Sequence, residues 1–559
     1  MKHSKTFVGI LLLMFWMNST FMVFGKKPHV REYPVELYEA YNYKGSFIGL
    51  KEGKHCIKNT DFDNKASSIY IVPGYEVKLY RWKDARENSE NYTVTLKESV
   101  PNLKSVDGKN MNNKTSYLEI IKLDSADDKN ETDQSGNDTE NSNNTNTDTS
   151  TTNSNDQPDT NNSSPDNSGN KFPFPRNEKY ADGSIMPSGS ADTLNKQVTE
   201  FYDKWKERYV GSWKGNLNYV KFNGDNLKKE KISVSEGHGY GMIIMASMAG
   251  YDRNAKSLFD GMFRWFKKCP STINKKLMSW LQLKEGPDGK QSDSATDGDL
   301  DIAYALLLAD KQWGSSGEIN YSQEAETLIA AIMESEINKK SWTPLLGDWV
   351  SPDDKKYGDS TRPSDFMVAN FEAFMNFTGN KDWGKVVDGC YKVVTTIQEK
   401  HAKSSGLVSD FVVNTTGNIE PAPSGLLEES DPNYYYNSCR VPWRIGTGYL
   451  VSGSQKAKAI LDKMNEFFKR STQGNPEKLK SGYALSGEAL PKSDYLSMAF
   501  LAPIGVSAMS GNDQEWLDKI WKKTVEQSLD NEQYFENTIK MICMIIMSGN
   551  WMTPDAKNP

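Results

Sequence analysis

Two stretches of the chain hold carboxylates where they could do acid–base work. In Ser235-Glu236-Gly237-His238-Gly239-Tyr240-Gly241-Met242, one glutamate precedes three closely spaced glycines and an apolar run. Glycines admit a polymer close to the backbone, and a charge at Glu236 is favoured near the N-terminus of the helix that should follow. The same residues would serve equally as a capping carboxylate with turn glycines, and on this stretch alone the two readings stand level. In Ser294-Ala295-Thr296-Asp297-Gly298-Asp299-Leu300-Asp301, three aspartates at alternate positions enter a strongly apolar helix. N-capping accounts for one of them. A Ca²⁺ loop would need a bidentate glutamate downstream, which is missing. Three acids at the mouth of so apolar a helix point to some facing a cleft. With five histidines and no Cys/His spacing of the zinc type, a His-ligated metal or a His-based triad is not expected.

The elements that must position these acids follow from the chain's organisation. At 559 residues it exceeds one ordinary domain. Residues 1–25 read as a secretory signal, with Lys2 and Lys5 ahead of an apolar run, so the protein is expected outside the cell and off the membrane after cleavage. Residues 34–123 alternate apolar and polar side chains, as in Val35-Glu36-Leu37-Tyr38, and predict a small all-β domain. Residues 124–171, nearly all Asn, Asp, Ser and Thr, predict a disordered linker. Between 124 and 170 eleven acids face one lysine, so the net charge of -7 belongs to this tract and says little about a partner. No basic cluster suggests nucleic acid. The five cysteines are widely spaced and read as buried thiols.

Residues 172–555 are helical in pattern. About twelve amphipathic stretches begin near Asp192, Gly239, Ala255, Asp299, Ser322, Pro363, Asp382, Arg440, Gln455, Ser493, Asp513 and Glu532. Several pairs meet at short glycine turns, such as Thr378-Gly379-Asn380-Lys381 and Ser452-Gly453-Ser454, the pattern of helical hairpins. Six hairpins could close into a ring with inner and outer layers. An open solenoid is the alternative, and the weak identity between hairpins favours closure.

At this point the residues resemble a family, glycoside hydrolase family 8. The resemblance covers nearly all of 172–551. It rests on the aspartate-rich stretch and on five collinear blocks: Ser235 to Met242, Leu346-Gly347-Asp348-Trp349, Thr361-Arg362-Pro363-Ser364-Asp365, Gly406-Leu407-Val408-Ser409-Asp410-Phe411 and Tyr434-Tyr435-Tyr436-Asn437-Ser438-Cys439-Arg440-Val441-Pro442-Trp443-Arg444. It implies an all-α (α/α)₆ barrel and inverting endo-hydrolysis of a β-1,4-linked glucan or glucosaminan, with no catalytic cofactor. It places the acid at Glu236 and matches Asp297 to the aspartate that holds the distorted central sugar, with Asp299 in support. Asp365 and Arg440 fall among the substrate-binding positions. Trp349, Tyr357, Trp443 and Tyr240 are the aromatic candidates for a sugar floor, where flat rings stack on sugar faces.

One position departs from the common pattern. Many members carry aspartate where this chain has Asn437, and an amide is no useful proton acceptor. A branch of chitosanases and mixed-linkage glucanases shares the asparagine and takes a glutamate from a loop just upstream. The matching loop here is Glu420-Pro421-Ala422-Pro423-Ser424-Gly425-Leu426-Leu427-Glu428-Glu429-Ser430-Asp431. On that alignment Glu429 is the base, Glu428 the runner-up, and Asn437 orients the water. The loop resembles chitosanase relatives most, so chitosan leads as the expected polysaccharide, mixed-linkage β-glucan follows, and an endoglucanase comes behind. A glycan-binding protein on a disabled barrel is the competing class. A monomer is expected.

The N-terminal domain resembles a βγ-crystallin Greek key. The resemblance rests on Tyr38-Glu39-Ala40-Tyr41-Asn42-Tyr43-Lys44-Gly45 and on Asp63-Asn64-Lys65-Ala66-Ser67-Ser68. It implies a Ca²⁺ site at Asp63, Asn64, Ser67 and Ser68; a second copy at 111–116 is degenerate.

Overall fold

The computed structural model describes residues 33–40, 42–56, 66–72, 74–80, 93–103, 117–123, 169–222 and 231–555. The expected signal, and the linker up to residue 168, lie outside them. The chain divides into two compact units, one within 18–157 and the other from residue 158 onward. Among the described residues no helix is long and apolar enough to cross a membrane.

The first unit is all-β, as its alternation predicts. Strands β1 (Val35–Ala40), β2 (Lys44–Leu50) and β4 (Ser68–Ile71) form a sheet in the order β2-β1-β4. Strands β3 (Gly53–Cys56), β5 (Tyr75–Tyr80), β6 (Thr93–Leu96) and β7 (Tyr117–Lys122) form a second, β3-β7-β5-β6. Every pairing is antiparallel. Alternate residues Val35, Leu37, Ile69, Val77, Leu79, Leu118 and Ile120 fill one apolar core, as a pleat with one inward face requires. Of the four expected Ca²⁺ ligands, Asp63 and Asn64 lie outside the described residues. The Ser68 hydroxyl accepts from the Tyr43 N–H at 3.0 Å and donates to the Ala40 carbonyl at 2.7 Å, which ties strand β4 to the β1–β2 turn. Among the described residues no group of three or more His, Cys, Asp or Glu could hold a metal ion.

The second unit has twelve α-helices among its described residues: α1 (Ala191–Tyr209), α2 (Ser235–Ser247), α3 (Ala255–Lys268), α4 (Thr296–Trp313), α5 (Tyr321–Ser335), α6 (Val368–Thr378), α7 (Asp382–Lys400), α8 (Val441–Ser452), α9 (Gln455–Ser471), α10 (Met498–Ala508), α11 (Gln514–Glu526) and α12 (Tyr534–Met547). Even-numbered helices are buried on nearly every face, while odd-numbered ones keep a polar face. The even helices pack in sequence, α2 on α4, α4 on α6 and so on, and α12 returns to α2. The ring is therefore closed, as the hairpin pattern suggested. Glycines with positive φ end two inner helices, Gly379 after α6 and Gly453 after α8, both at φ 69°, a conformation glycine adopts without a steric penalty. Cys269, Cys390, Cys439 and Cys543 are buried free thiols.

Helix α2 starts four residues before the expected Gly239 because its glycines are helical. Their purpose differs from the one the sequence suggested. A Cβ on Gly237 would lie 2.1 Å from the Tyr534 hydroxyl, one on Gly239 2.7 Å from the Asp301 Cβ, and one on Gly241 2.4 Å from Val220. Gly237 and Gly239 let inner helices touch and Gly241 admits Val220 and Met262 of α3; none of the three opens the backbone to a ligand. Gly298 completes the contact: its Cβ would meet Ser235 Oγ at 2.3 Å and the Ser235 backbone at 2.7 Å. Gly298→Ala should therefore push the starts of α2 and α4 apart and destabilise the barrel by about 1–3 kcal/mol. Thermal unfolding measures it; an unchanged midpoint would show that the contact relaxes freely.

Candidate active site

The inner helices begin where Glu236, Asp297 and Arg440 meet. Strand β8 (Lys231–Val234) pairs with β9 (Leu281–Leu283) and runs straight into α2. The Ser235 N–H donates to the Trp280 carbonyl at 3.0 Å, so this ribbon fixes the first turn of α2 and Glu236 within it. Glu236 is the one residue between 232 and 247 that is not fully buried. Asp297 opens α4, and Arg440 immediately precedes α8. Positive helix ends favour carboxylates here.

Arg440 is the hub. It is 2 % exposed. Its Nη1 donates to Glu236 Oε1 and to Asp297 Oδ2, both at 3.0 Å, and reaches the Tyr240 hydroxyl at 3.4 Å. Its Nη2 donates to Asn437 Oδ1 at 3.1 Å. Asp297 Oδ1 also lies 3.0 Å from Arg362 Nη2. Arg362 in turn donates through Nε to both oxygens of Asp365, at 3.0 and 3.1 Å. A chain of buried charges thus runs Glu236–Arg440–Asp297–Arg362–Asp365.

The chain splits the carboxyls into two protonation classes. Burial raises the Glu236 pKa above its ordinary value, and the neighbouring Asp297 adds to this; Arg440 opposes without cancelling it. Burial would raise Asp297 too, but Arg362 and Arg440 together outweigh it and hold the carboxyl below its ordinary range. Glu236 therefore holds its proton to higher pH than Asp297, the ordering a general acid beside a cationic transition state needs.

Asn437 is held at both ends. Besides the Arg440 bond, its Nδ2 approaches Asp410 Oδ2 at 3.5 Å. Asp410 is fully buried and accepts from the backbone N–H groups of Tyr435, Asn437 and Ser438 and from Ser438 Oγ, at 2.7–3.2 Å. Burial still lifts its carboxyl to about 6. Asp410 and Arg362 sit in motif blocks of the sequence, yet neither was singled out, because a buried partner of a functional residue has no local signature.

The upstream loop sets its two glutamates in different surroundings. Asp431, fully buried, accepts from the N–H groups of Leu427 and Glu428 at 2.8–3.0 Å and clamps the loop. Leu426 and Leu427 pack against the cluster of Leu345, Leu346, Val350 and Phe411. Glu428 then turns inward: Oε2 is buried with no hydrogen-bond partner. Burial, with Asp410 and Asp431, raises its pKa to about 8, against the pull of Arg362. Glu429, the expected base, is exposed. The one-residue choice follows from anchoring the two leucines and the Asp431 clamp, which aim residue 428 at the charge chain.

Four other expected site residues are buried away from any cleft. Tyr240 and Trp443 are 0 % and 1 % exposed. They pack edge to face at 5.6 Å, with the Arg444 guanidinium 3.9 Å over Trp443, so they are barrel core beneath the site and floor no sugar. Asp365 is fully buried and is spent on Arg362. Asp299 is fully buried, accepts from the Met278 N–H at 2.8 Å and faces Glu336 instead of a cleft. Asp301, the third of the series, pairs with Arg444. Asp299 lies two positions from each of the others and so points to the opposite side of the helix, while Asp297 and Asp301 share a face and are separated by their partners, Arg362 and Arg440 for the first and Arg444 for the second. Trp349 and Tyr357 remain partly exposed, edge to face at 5.2 Å. Tyr436 and Tyr495, with hydroxyls 2.9 Å apart, add an aromatic pair that was missed.

Comparison with known proteins places this geometry in context. The family model described as "Glycosyl hydrolases family 8" matches residues 172–549. The chain is 44% identical over 386 residues to a "Beta-glucanase" of Niallia circulans, covering 68% of this chain and 91% of that protein. It is 39% identical over 392 residues to an "Endoglucanase" of Bacillus sp. (strain KSM-330), covering 68% and 82%. The solved apo structure of a beta-1,3-1,4-glucanase from Paenibacillus sp. X4 superposes with a TM-score of 0.65 at 43% identity, covering 68% of this chain and 99% of that one.

Proposed function

Because the chain belongs to glycosyl hydrolase family 8, we propose that it is an inverting endo-β-glucanase whose preferred polysaccharide is a mixed-linkage β-1,3-1,4-glucan. The observation that carries the reading is the Glu236–Arg440–Asp297 contact, which sets a proton-retaining carboxyl beside an ionised one at the converging helix ends. Glu236 protonates the leaving oxygen. Asp297 stays anionic beside the sugar as positive charge develops at its anomeric carbon. Glu428, ionised, takes a proton from water on the opposite face of the ring, as inversion requires. Asn437, fixed between Arg440 and Asp410, orients that water without accepting its proton. Arg440 couples the acid to the water-holding side, and Arg362 with Asp365 keeps Asp297 charged.

The β-glucan preference draws support from the relatives named beta-glucanase and beta-1,3-1,4-glucanase, which share more than two fifths of their aligned residues with this chain. Chitosan is the second reading, favoured by two carboxyls near the site that an amino sugar could meet: Glu428, and Asp293, which burial and Asp348 raise to about 6. Lichenan, carboxymethylcellulose and chitosan compared by reducing-sugar release decide between them. Lichenan should be cleaved fastest, with the α-anomer appearing first by proton NMR. Faster release from chitosan would replace the substrate reading. Release from none of the three would leave only a glycan-binding role.

Secretion, and a βγ-crystallin-like N-terminal unit with a Ca²⁺ site, are further parts of this reading. For the unit, the support is that β3 leaves its neighbours in sequence to pair with β7, while Val100 bridges Ile69 in the other sheet. Each half thus lends a segment to the opposite sheet.

A further inference from the structure

Behind Asp297 lies a group of carboxyls that the proposed mechanism does not use. Asp299 stands on the same helix turn, fully buried. Its Oδ1 accepts from the Met278 N–H at 2.8 Å, while Oδ2 is buried without a hydrogen-bond partner. Glu336, at the end of α5, is also fully buried. Its Oε1 accepts from Ser294 Oγ at 2.6 Å, while Oε2 has no partner. Asp348, close to both, is differently supplied. It accepts from the Ser294 N–H at 2.9 Å, from Ser271 Oγ at 2.5 Å and from the Asn274 N–H at 3.0 Å. Three donors satisfy the acceptor oxygens of this partly buried carboxylate. Asp299 and Glu336 have one donor each and one orphaned oxygen each.

Two facing carboxylates do not both remain charged in such a site, and a buried acceptor left without a donor is destabilising. A single proton between the two removes both difficulties, because the oxygen that carries it donates to the other. We propose that Asp299 and Glu336 share one proton and that this acid–carboxylate bridge ties the entry of α4 to the end of α5, making the pair positioning residues for Asp297.

The surroundings agree with a retained proton. Asp348 faces both groups, Asp297 and Asp365 add negative charge toward Glu336, and Ser294 alone among the largest influences on Glu336 favours its ionised form. Burial and these acids raise Glu336 to about 8 and Asp299 well above its ordinary value. The same segments are cross-tied by the backbone. Leu345 N–H donates to the Glu336 carbonyl at 2.8 Å, and Thr296 Oγ1 donates to the Leu345 carbonyl at 2.7 Å. The bridge therefore acts on the residue immediately before Asp297.

The inference rests on Asp297 acting at the reacting sugar, but its stability readout needs no substrate, so the two can fail separately. In Asp299→Asn the amide N–H takes the place of the shared proton and donates to Glu336, and the carbonyl keeps Met278. In Asp299→Ala both are lost. At about pH 6, Asp299→Asn should keep kcat within about threefold of wild type, whereas Asp299→Ala should lose more than about tenfold, since one misplaced group beside the reacting centre can cost a hundredfold. A carboxyl whose pKa is raised on folding stabilises at acid pH, and that stability is lost as pH rises through its folded value, here about 8. The wild-type Tm should therefore fall more steeply between about pH 5 and pH 8 than that of Asp299→Asn, which lacks the shared proton. Glu336→Gln should reproduce the Asn variant independently. An Asp299→Asn protein no better than Asp299→Ala, one that fails to fold, or one whose Tm follows pH in parallel with wild type would overturn the bridge.

Discussion

Glu236→Gln should lower kcat on β-glucan by about a hundred- to ten-thousand-fold, the range associated with losing a positioned general acid, while Tm and KM stay close to wild type. The reason lies in what glutamine preserves. Its carbonyl still accepts from Arg440 Nη1, so the chain through Asp297 to Arg362 keeps every contact. Only the transferable proton disappears. Removing a partner altogether is a different experiment, because an uncompensated buried guanidinium costs about 3–5 kcal/mol and would confuse chemistry with folding. An aryl β-glycoside with a good leaving group needs little protonation, so the variant should lose far less on that substrate. A variant that keeps more than about a tenth of wild-type turnover on the polysaccharide would remove Glu236 from the role of acid.

For the base, Glu428→Gln should cost a similar factor and Glu429→Gln should cost little. The two residues are neighbours of identical chemistry, so the comparison isolates orientation. Glu428 is half-buried, with its Oε2 buried and Asp410, Asp431 and Arg362 around it, and Glu429 is exposed. Because Glu428 must be ionised to accept a proton, its raised value of about 8 predicts a kcat/KM that declines as pH falls below that value. Asp410→Asn removes a negative neighbour, which favours the ionised form, so the acidic limb should move to lower pH. That variant also keeps an acceptor for the Ser438 and Tyr435 N–H groups. Loss of activity in Glu429→Gln with Glu428→Gln unaffected would restore the order first read from the alignment.

The same contrast marks how much of the molecule is written locally. Hairpin pattern, glycine turns and apolar periodicity were enough to place all twelve helices of the second unit, since helix ends and amphipathic faces are properties of a few consecutive residues. Three starts were misplaced by four or five residues, at Gly239, Pro363 and Ser493. For Gly239 the cause is that a glycine needed for a helix–helix contact looks, in sequence, like a turn glycine; Tyr534 and Asp301 explain α2, and they lie far along the chain.

The site divides in the same way. That Glu236 and Asp297 belong at helix starts beside acids and glycines was determined by sequence alone, as was the inability of Asn437 to serve as a base. Tertiary structure decided everything that depends on direction. It sent three alternate aspartates to three environments, put Tyr240 and Trp443 in the core, and turned Glu428 inward. It also assembled Arg440, Arg362 and Asp410 around acids from other helices. A side chain's type is encoded at one position, but its partners, its burial and hence its proton affinity are set by segments hundreds of residues away, which meet only when the ring of helices closes.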